Sequence, residues 1–391
     1  MTTATRATEA APKPPPWRDV RTLAWAFQLI VIGVVVAVGA WLWNNLQVNS
    51  ERLNIPTDFG YLDQPAGFPI PSNPDFRQTQ PVSDALVEGM RNTLRLALTG
   101  IILATVLGTL LGVARLSKNF LVSKAAQVYV EFIRNVPLLG LVIIFYTAVV
   151  LNTFPRLEDT WDLGPLAVLN LRGSSVIWFE GSNWRFVAIV AIALAAASVV
   201  ARLRRAQSDR TGRPARTGLY ALGAAAFVVV VLWVVLGLGA TAPELDGRRV
   251  SGGITMTPAY LAALLALVVY TSSHISEIVR GSIQAVAKGQ GEAANALALS
   301  GFQRMWYVVL PQAMRIALPP IGNQYLNLAK NSSLAAVVSF PEITKITELS
   351  IANRSPAVPS YAVLLMMYLV LSLVLSAVVN LANRRLTIVE R

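Results

Sequence analysis

Apolar residues in this chain are grouped into long runs that alternate with shorter polar segments. Runs of about 20 residues are long enough to cross the hydrocarbon core of a membrane as helices. We predict eight such spans, at residues 22–44, 84–114, 125–151, 184–202, 218–239, 258–286, 319–338 and 359–382. The first run is too long for the core of a signal peptide, so it is predicted to be an anchor. An even number of spans places both termini on one side of the membrane.

The composition supports this prediction. Of the 391 residues, 54% are hydrophobic and 14% are charged, and the mean hydropathy is +0.53. An ordinary soluble domain has about 25% charged residues. The chain has too few polar side chains to cover the surface of a soluble globular protein, which excludes that class. We therefore expect an all-α, polytopic membrane protein with about eight transmembrane helices.

The basic residues are concentrated on one side of the predicted spans. Twenty Lys and Arg residues fall in the two terminal segments and in the loops 115–124, 202–216 and 280–316, against eight in the opposite loops. Positive charge is retained on the cytoplasmic side of membrane proteins. Both termini are therefore predicted to be cytoplasmic, and the net charge of +12 gives no reason to expect nucleic acid as a partner.

Several common kinds of active site are missing from the sequence. It has no cysteine and one histidine, His274, which excludes disulfides and metal sites built on two histidines. No phosphate-binding Gly-x-x-x-x-Gly-Lys-Ser/Thr motif occurs. The acidic residues within spans are Glu88, Glu131 and Glu277, whereas ion-coupled carriers usually bury several. We expect a chain that is not an enzyme; a stand-alone ion-coupled carrier or channel for small polar solutes is the alternative.

The loop at residues 45–83 contains six prolines, which are incompatible with a regular helix. We expect an ordered but irregular segment anchored by Phe59, Tyr61 and Phe68. Contact with an extracytoplasmic partner and a simple connecting role both remain open.

The polar segment at residues 287–318 carries the most information. Glu292 and a run of alanines favour a helix, and Ser300-Gly301 marks a break. A second amphipathic helix is predicted from Phe302 to Leu310, ended by Pro311. Two short helices at a bend, with exposed aromatic residues, fit a groove of another protein or the lipid headgroup region.

This segment resembles the EAA loop of ABC importer permeases. The pattern is matched by Glu292-Ala293-Ala294, by Ala298 where glycine is expected, and by Val308, Leu310 and Pro311 at the family spacing. Because Ala298 replaces the expected glycine, Gly301 is predicted to provide the turn instead.

The flanking segments resemble the polar amino acid permeases. The similar stretches are EFIRNVPLL at 131–139, YTSSHISEIVRGSIQ at 270–284, KGQ at 288–290, GNQ at 322–324 and LAKNSSL at 328–334. The family more often has aspartate at Asn331. The additional first span, the loop with Phe59 to Leu62 and the inserted fourth and fifth spans are similar to the Q-type permeases of general L-amino acid importers.

The resemblance implies a type I ABC importer permease core in the bacterial inner membrane, which moves L-amino acids from periplasm to cytoplasm. The implied partners are a second permease subunit, commonly a different chain, two cytoplasmic ATPase subunits, a periplasmic amino acid binding protein and membrane lipid. No cofactor is expected in this chain, since ATP and Mg²⁺ would be bound by the ATPase subunits. The implied coupling residues are Glu292, Ala293, Ala294, Ala298, Gly301, Leu310 and Pro311.

The resemblance also divides the chain into five parts. Residues 1–21 are a cytoplasmic tail predicted to be disordered, and 22–83 hold the extra first span with its periplasmic loop. Residues 84–151 form the first part of the permease core, and 152–257 are the inserted loop and two extra spans. Residues 258–391 form the second part of the core, within which the EAA loop occupies 288–318.

Residues for the substrate path are predicted from their polarity within spans. Tyr270, His274 and Glu277 share one face of a helix, and polar residues on a membrane helix face protein or a water-filled cavity. The candidates are Arg134, Asn135, Tyr270, His274, Glu277, Lys330 and Asn331. Each also has a structural interpretation: Arg134 pairs with Glu131, Glu277 pairs with Arg280, His274 packs in the core, and Lys330 extends to the membrane surface.

Overall fold

A computed structural model describes residues 15, 17–53, 55–179, 183–211, 217–236, 239–246 and 249–386. The predicted tail 1–21 lies mostly outside these residues. The first helix, α1 (Val20–Leu53), is predicted correctly as an apolar span, although it extends nine residues beyond the predicted end at residue 44. Its most apolar stretch is exposed on every side.

The next helices are α2 (Val82–Ala114), α3 (Phe120–Asn135), α4 (Leu138–Ile144) and α5 (Leu151–Thr153), and a π-helical turn (Phe145–Val150) joins the last two. The prediction of one straight span at 125–151 is wrong. The chain bends by 102° between Asn135 and Leu138. Pro137 disfavours helical backbone at the preceding residue, and Val136 is accordingly extended, with φ −90° and ψ 130°.

The inserted part of the chain contains two helices, at the positions of the predicted spans 184–202 and 218–239, and short strands that were not predicted. The elements are β1 (Trp161–Asp162), β2 (Ala167–Asn170), β3 (Gly173–Val176), β4 (Trp178–Phe179), α6 (Asn183–Thr211), α7 (Thr217–Val235), β5 (Ala240–Thr241), β6 (Glu244–Asp246), β7 (Arg249–Ser251) and β8 (Ile254–Met256). One antiparallel sheet has the order β1-β2-β3-β8; β4 pairs with β5, and β6 with β7. The fold class is helical as predicted, with a small sheet added between the spans.

The last part consists of α8 (Pro258–Gln284), α9 (Lys288–Ala296), α10 (Gly301–Arg304), α11 (Leu310–Asn331), α12 (Ile343–Ala352) and α13 (Ala357–Leu386). A π-helical turn (Met305–Val309) makes the helix continuous from Gly301 to Asn331. The prediction that Pro311 ends a helix is therefore wrong. Pro311 lies near the start of α11, where its missing N–H costs little because the preceding π-turn has already shifted the hydrogen-bond pattern.

Five helices in the described part of the chain are long and apolar enough to cross a membrane, or six if the bent pair of α3 with α4 and α5 is one span. These five helices and the bent pair correspond to six of the eight predicted spans. The other two predictions, 184–202 and 319–338, lie on α6 and on α11 with its 3-10 extension (Ser332–Val338). In α11 the polar side chains Asn323, Asn327 and Lys330 interrupt the apolar pattern.

The core is built on the contact between α2 and α8. A Cβ atom at Gly108 would lie 2.7 Å from Cβ of Ile275, and one at Gly112 would lie 2.8 Å from Cβ of Val279. The two glycines therefore allow the helix backbones to approach closely. Leu328 of α11 packs on α2 at Gly100 and completes this core.

The proline-rich loop is irregular beyond Leu53, as predicted, apart from a 3-10 turn at Gly60–Asp63. Tyr61 and Phe68 are buried and pack against the start of α2, which confirms them as anchors. Phe59 is 54% exposed, so its prediction as a third anchor is wrong. It precedes the turn and borders an apolar cavity with Met90 and Met366 instead of packing into the loop's core.

Candidate functional site

The face of the helix bundle that carries residues 285–309, called here the loop face, holds the predicted coupling residues. Helix α9 begins at Lys288, so Glu292 lies in its middle rather than at its start. Glu292 and Ala293 are exposed, whereas Ala294 is buried against the protein. The exposed residues are therefore available to a partner, and Ala294 holds α9 in place.

The bend between α9 and α10 lies at Ala298, which has φ +54°. This is the left-handed region, which glycine tolerates and alanine disfavours. Gly301 has no positive φ and is the first residue of α10. The prediction that Gly301 provides the turn is therefore wrong: Ala298 adopts the backbone conformation of the glycine that it replaces.

Hydrogen bonds hold the loop in one shape. The side chain of Ser300 caps α10 by accepting from Gln303 N, and the Gln303 side chain accepts from Ser300 N. Arg304 Nη1 donates to Asn295 Oδ1 at 3.1 Å and thereby joins α10 to α9. Gln312 donates to Gln290 at 3.2 Å. These bonds hold residues 288–309 in one shape, and the segment is called here the elbow.

Aromatic side chains cover the outer surface of this elbow. The rings of Phe302 and Trp306 are stacked with centroids 6.2 Å apart, and both side chains are exposed. Leu310 is half-buried and Pro311 is exposed at the point where the elbow joins α11. Exposed stacked rings on the same elbow as an exposed acid, Glu292, are suited to a complementary groove.

A cluster of charged residues lies at the same face, where α2, α3 and α8 meet. Glu277 Oε2 lies 2.5 Å from Arg115 Nη1 and 3.8 Å from Arg134 Nη1, and Glu277 Oε1 accepts from Arg280. The predicted pair of Glu277 with Arg280 is confirmed. The predicted pair of Arg134 with Glu131 is wrong, because Glu131 accepts from Gln127 and Arg134 approaches Glu277.

The cluster surrounds a polar cavity of about 430 Å³. Its lining residues are Arg115, Ser123, Gln127, Glu131, Arg134, Glu277, Arg280 and Gln284. Of the other predicted path residues, Asn135 donates to the backbone oxygen of Glu131 and is exposed. Tyr270 and His274 are half-buried, with ring centroids 4.7 Å apart.

Lys330 and Asn331 do not line this cavity. They lie at the far end of α11, away from the loop face, with Lys330 exposed and Asn331 half-buried. The structure therefore brings Arg134 and Glu277 together, and it places Lys330 and Asn331 at a different site.

A buried carboxyl group, Glu342, was absent from the predicted sites. It caps α12, accepting from Lys345 N at 2.9 Å and from Tyr368 Oη at 2.7 Å, and it is 0% exposed. Burial raises the pKa of Glu342 to about 7, although hydrogen bonds from Thr344, Tyr368 and Lys345 oppose the shift. Its position immediately before an amphipathic helix, as an N-cap, is the signal that would have found it.

Sequence reasoning also missed Arg115, which it counted as a loop residue, and Gly108 and Gly112. The spacing of four residues between Gly108 and Gly112 was the available signal for a close helix contact.

In the described residues no group of three or more His, Asp or Glu side chains could hold a metal ion.

Comparison with known proteins places this geometry in a family. Residues 225–388 match the family described as "Binding-protein-dependent transport system inner membrane component". The putative amino-acid ABC transporter permease YhdX of Escherichia coli (strain K12) is 35% identical over 94% of this chain and 95% of its own length. The general L-amino acid transport system permease AapQ of Rhizobium johnstonii is 37% identical, covering 93% and 92%.

A solved structure is also similar, a chain of an amino acid ABC transporter crystallised with histidines. It has 20% sequence identity and a TM-score of 0.47, and the match covers 78% of this chain and 94% of that one. The assignment rests on the sequence relatives, which align along nearly their whole length. By that likeness the chain belongs to the family of ABC importer permeases, the inner membrane components of binding-protein-dependent transport systems.

Proposed function

We propose that this permease moves L-amino acids from the periplasm to the cytoplasm as the transmembrane subunit of an ATP-driven importer. The observation that carries the substrate class is the similarity to AapQ, named as a general L-amino acid permease, along more than nine-tenths of both chains. As a permease the chain is a transport subunit rather than an enzyme, and ATP hydrolysis resides on a separate subunit. It needs no cofactor of its own, since ATP and Mg²⁺ are bound by that subunit.

The elbow at the loop face is the proposed contact with the ATPase. Glu292 offers a carboxylate to a basic group, and Ala293, Ala298 and Gly301 leave room for a partner surface. Support comes from the exposure of these residues and from the hydrogen bonds that fix the elbow. A fixed elbow transmits a displacement to α11, whereas a flexible loop would absorb it.

The assembly proposed here contains a second, homologous permease subunit, two ATPase subunits and a periplasmic binding protein. A different chain is proposed as the second permease, because the resemblance to general L-amino acid permeases implies two unlike permease subunits. The exposed apolar faces of α2 and α13 are available for that subunit and for lipid. Both termini are proposed to be cytoplasmic, since twenty basic residues fall on that side against eight on the other.

The charged cluster at Glu277 is proposed to seal the cytoplasmic end of the path rather than to bind substrate. Both carboxylate oxygens of Glu277 are already engaged, by Arg115 and by Arg280. An amino group of a substrate would have to displace an arginine from this carboxylate. Breaking the pairs would open the end of α2 away from α8.

The proposal is tested by purifying the tagged chain from its native host in mild detergent and identifying the proteins bound to it. We expect an ATPase and a second permease. The same preparation is then reconstituted in proteoliposomes together with the binding protein. It should transport L-amino acids only when ATP is present on the side of the membrane that holds the ATPase. Transport by the purified chain alone, without ATP, would instead establish a self-sufficient carrier.

A further inference from the structure

We propose that Asn323, Asn327 and Lys330 of α11 form one wall of the translocation path and that Lys330 binds the α-carboxylate of the amino acid in transit. This inference rests on the proposed function, since the substrate class comes from there. It goes beyond the sequence prediction, in which Lys330 had no assigned ligand and the two asparagines had no role.

The three residues form a polar stripe on one face of α11. Their spacing, four residues and then three, places them above one another on a helix. All three side chains are exposed, whereas Gly322, Leu328 and Ala329 on the other side of the helix are buried in the core. The stripe therefore points away from the core of this subunit.

The stripe lies at the depth of the membrane interior. Leu328 packs on Gly100, which is near the middle of the long helix α2. One turn earlier, Tyr325 Oη lies 2.9 Å from Thr105 Oγ1 of the same helix. Lys330 is thus level with the central part of α2, where an ammonium group in contact with lipid is strongly disfavoured.

Within the part of the chain that the structure describes, Lys330 has no ion pair, and neither asparagine side chain has a hydrogen-bond partner. An exposed ammonium at this depth requires water and an anion, or an anionic group of another molecule. Arg115 and Arg280 are already paired with Glu277, which Arg134 also approaches. Arg95 donates to the backbone oxygen of Thr255 and lies over the Tyr260 ring. Lys330, which has no such partner among the described residues, is therefore available for an incoming carboxylate.

The chemistry of the stripe fits the part that all amino acids share. A carboxylate accepts hydrogen bonds from an ammonium and from amide N–H groups, and Asn327 lies one turn from Lys330 to supply the latter. All three side chains of the stripe are polar, so they match charged and hydrogen-bonding groups rather than an apolar side chain. The stripe therefore recognises the common backbone of the substrates and leaves selection among side chains to another component.

The absence of cysteine from this chain permits a direct test. Lys330→Cys and Asn327→Cys are made in the complete transporter, with Leu98→Cys as the control on the exposed apolar face of α2. Each variant is treated with methanethiosulfonate reagents that attach an aminoethyl, a sulfonatoethyl or a methyl group, and the treated wild-type complex gives the background. Uptake and the rate of labelling are measured with and without saturating substrate.

We expect Lys330→Cys to lower uptake about 10-fold or more, as removal of one member of a desolvated charge pair does. The aminoethyl group should restore uptake, and the sulfonatoethyl and methyl groups should not. Substrate should slow the labelling of Lys330→Cys and Asn327→Cys, and Leu98→Cys should resist the charged reagents throughout.

Wild-type uptake by Lys330→Cys, or equal rescue by the methyl group, would overturn the inference. Rescue by the aminoethyl group without protection by substrate would overturn it too, and would assign the ammonium to a carboxylate of the second permease. If Lys330→Cys fails to assemble, unprotected labelling of Asn327→Cys would still contradict a substrate path at the stripe. Failure of the proposed function is distinct, because the wild-type transporter would then take up no amino acid.

Discussion

Arg115 Nη1 lies 2.5 Å from Glu277 Oε2 and joins the end of α2 to the last turns of α8. The Arg115 side chain is only 9% exposed, so its charge depends on this carboxylate. The pair therefore stabilises the loop-face end of the contact between the two helices.

Replacing Glu277 by Gln should destabilise the protein by about 2 kcal/mol, between the values for exposed and buried pairs. Arg115 and Arg280 would then face each other without a carboxylate. The measurement is the thermal unfolding of the purified complex. Glu88→Gln is the matched control, because its pair with Arg91 also spans three residues but leaves the Arg91 side chain 69% exposed. Equal effects of the two variants would show that burial of Arg115 contributes nothing.

Replacing Ala298 by Gly should raise the stability of the elbow by about 1 kcal/mol, because glycine adopts a φ of +54° without steric cost. Transport should be retained. Ala293→Gly is the control of opposite sign, since Ala293 is exposed within α9 and glycine there should cost about 0.5–1 kcal/mol. Hydrogen exchange of the residues 288–304 reports both effects. Equal destabilisation by both variants would contradict the bend at Ala298.

Reversing or adding a charge on the elbow should uncouple the transporter without removing it from the membrane. Glu292→Arg and Gly301→Asp are expected to lower ATP-driven uptake about 10-fold or more, because each places a charge against the partner surface. Gly301→Ala is the control, as no atom lies within 4 Å of a Cβ at this position. The measurements are uptake and the amount of ATPase retained on purification. Normal uptake by Glu292→Arg would remove the elbow from the coupling mechanism.

Replacing Gly108 by Ala should destabilise the core by about 1–3 kcal/mol, because the new methyl group would lie 2.8 Å from the backbone oxygen of Ser272. The helices α2 and α8 would have to separate. Gly33→Ala on α1 is the control, since nothing lies within 4 Å of a Cβ there. Thermal unfolding in detergent should show a loss for Gly108→Ala and no loss for Gly33→Ala.

The buried carboxyl of Glu342 should make stability depend on pH. Its pKa is raised to about 7 in the folded protein, so the folded state binds the proton more tightly than the unfolded state. The contribution is fully present below the unfolded pKa and is lost as pH rises through 7, by up to about 3 kcal/mol. Melting temperatures between pH 5 and 8 should fall for the wild type. Glu342→Gln, which stays neutral, keeps one acceptor oxygen for Lys345 N and can donate from its amide nitrogen to Tyr368 Oη, should remove that slope.

The long apolar helices were predictable because a membrane sets their length and composition. The bend after Asn135 was not predicted because the run remains apolar through it, and run length takes no account of Pro137. The strands were missed for a different reason. With two to four residues each, such as Ala167–Asn170, they are too short to show an alternating pattern.

The contacts at the candidate sites also divide into those that the sequence predicts and those that it does not. The pair of Glu277 with Arg280 lies within one helix, where a spacing of three residues predicts contact. The contact of Glu277 with Arg115 joins residues 162 positions apart, and no local rule gives it. The turn at Ala298 contradicts the intrinsic preference of alanine and follows from the fixed ends of α9 and α10.

The unbroken helix from Gly301 to Asn331 has a mechanical consequence. At 1.5 Å per residue it is a rod about 45 Å long, with the elbow at one end and Lys330 at the other. The rod packs on the core near its far end, where Leu328 contacts α2 at Gly100 and Tyr325 contacts Thr105. A pull on the elbow would therefore turn the rod about that end, so that the elbow travels far while Lys330, close to the pivot, mainly changes the direction in which it points.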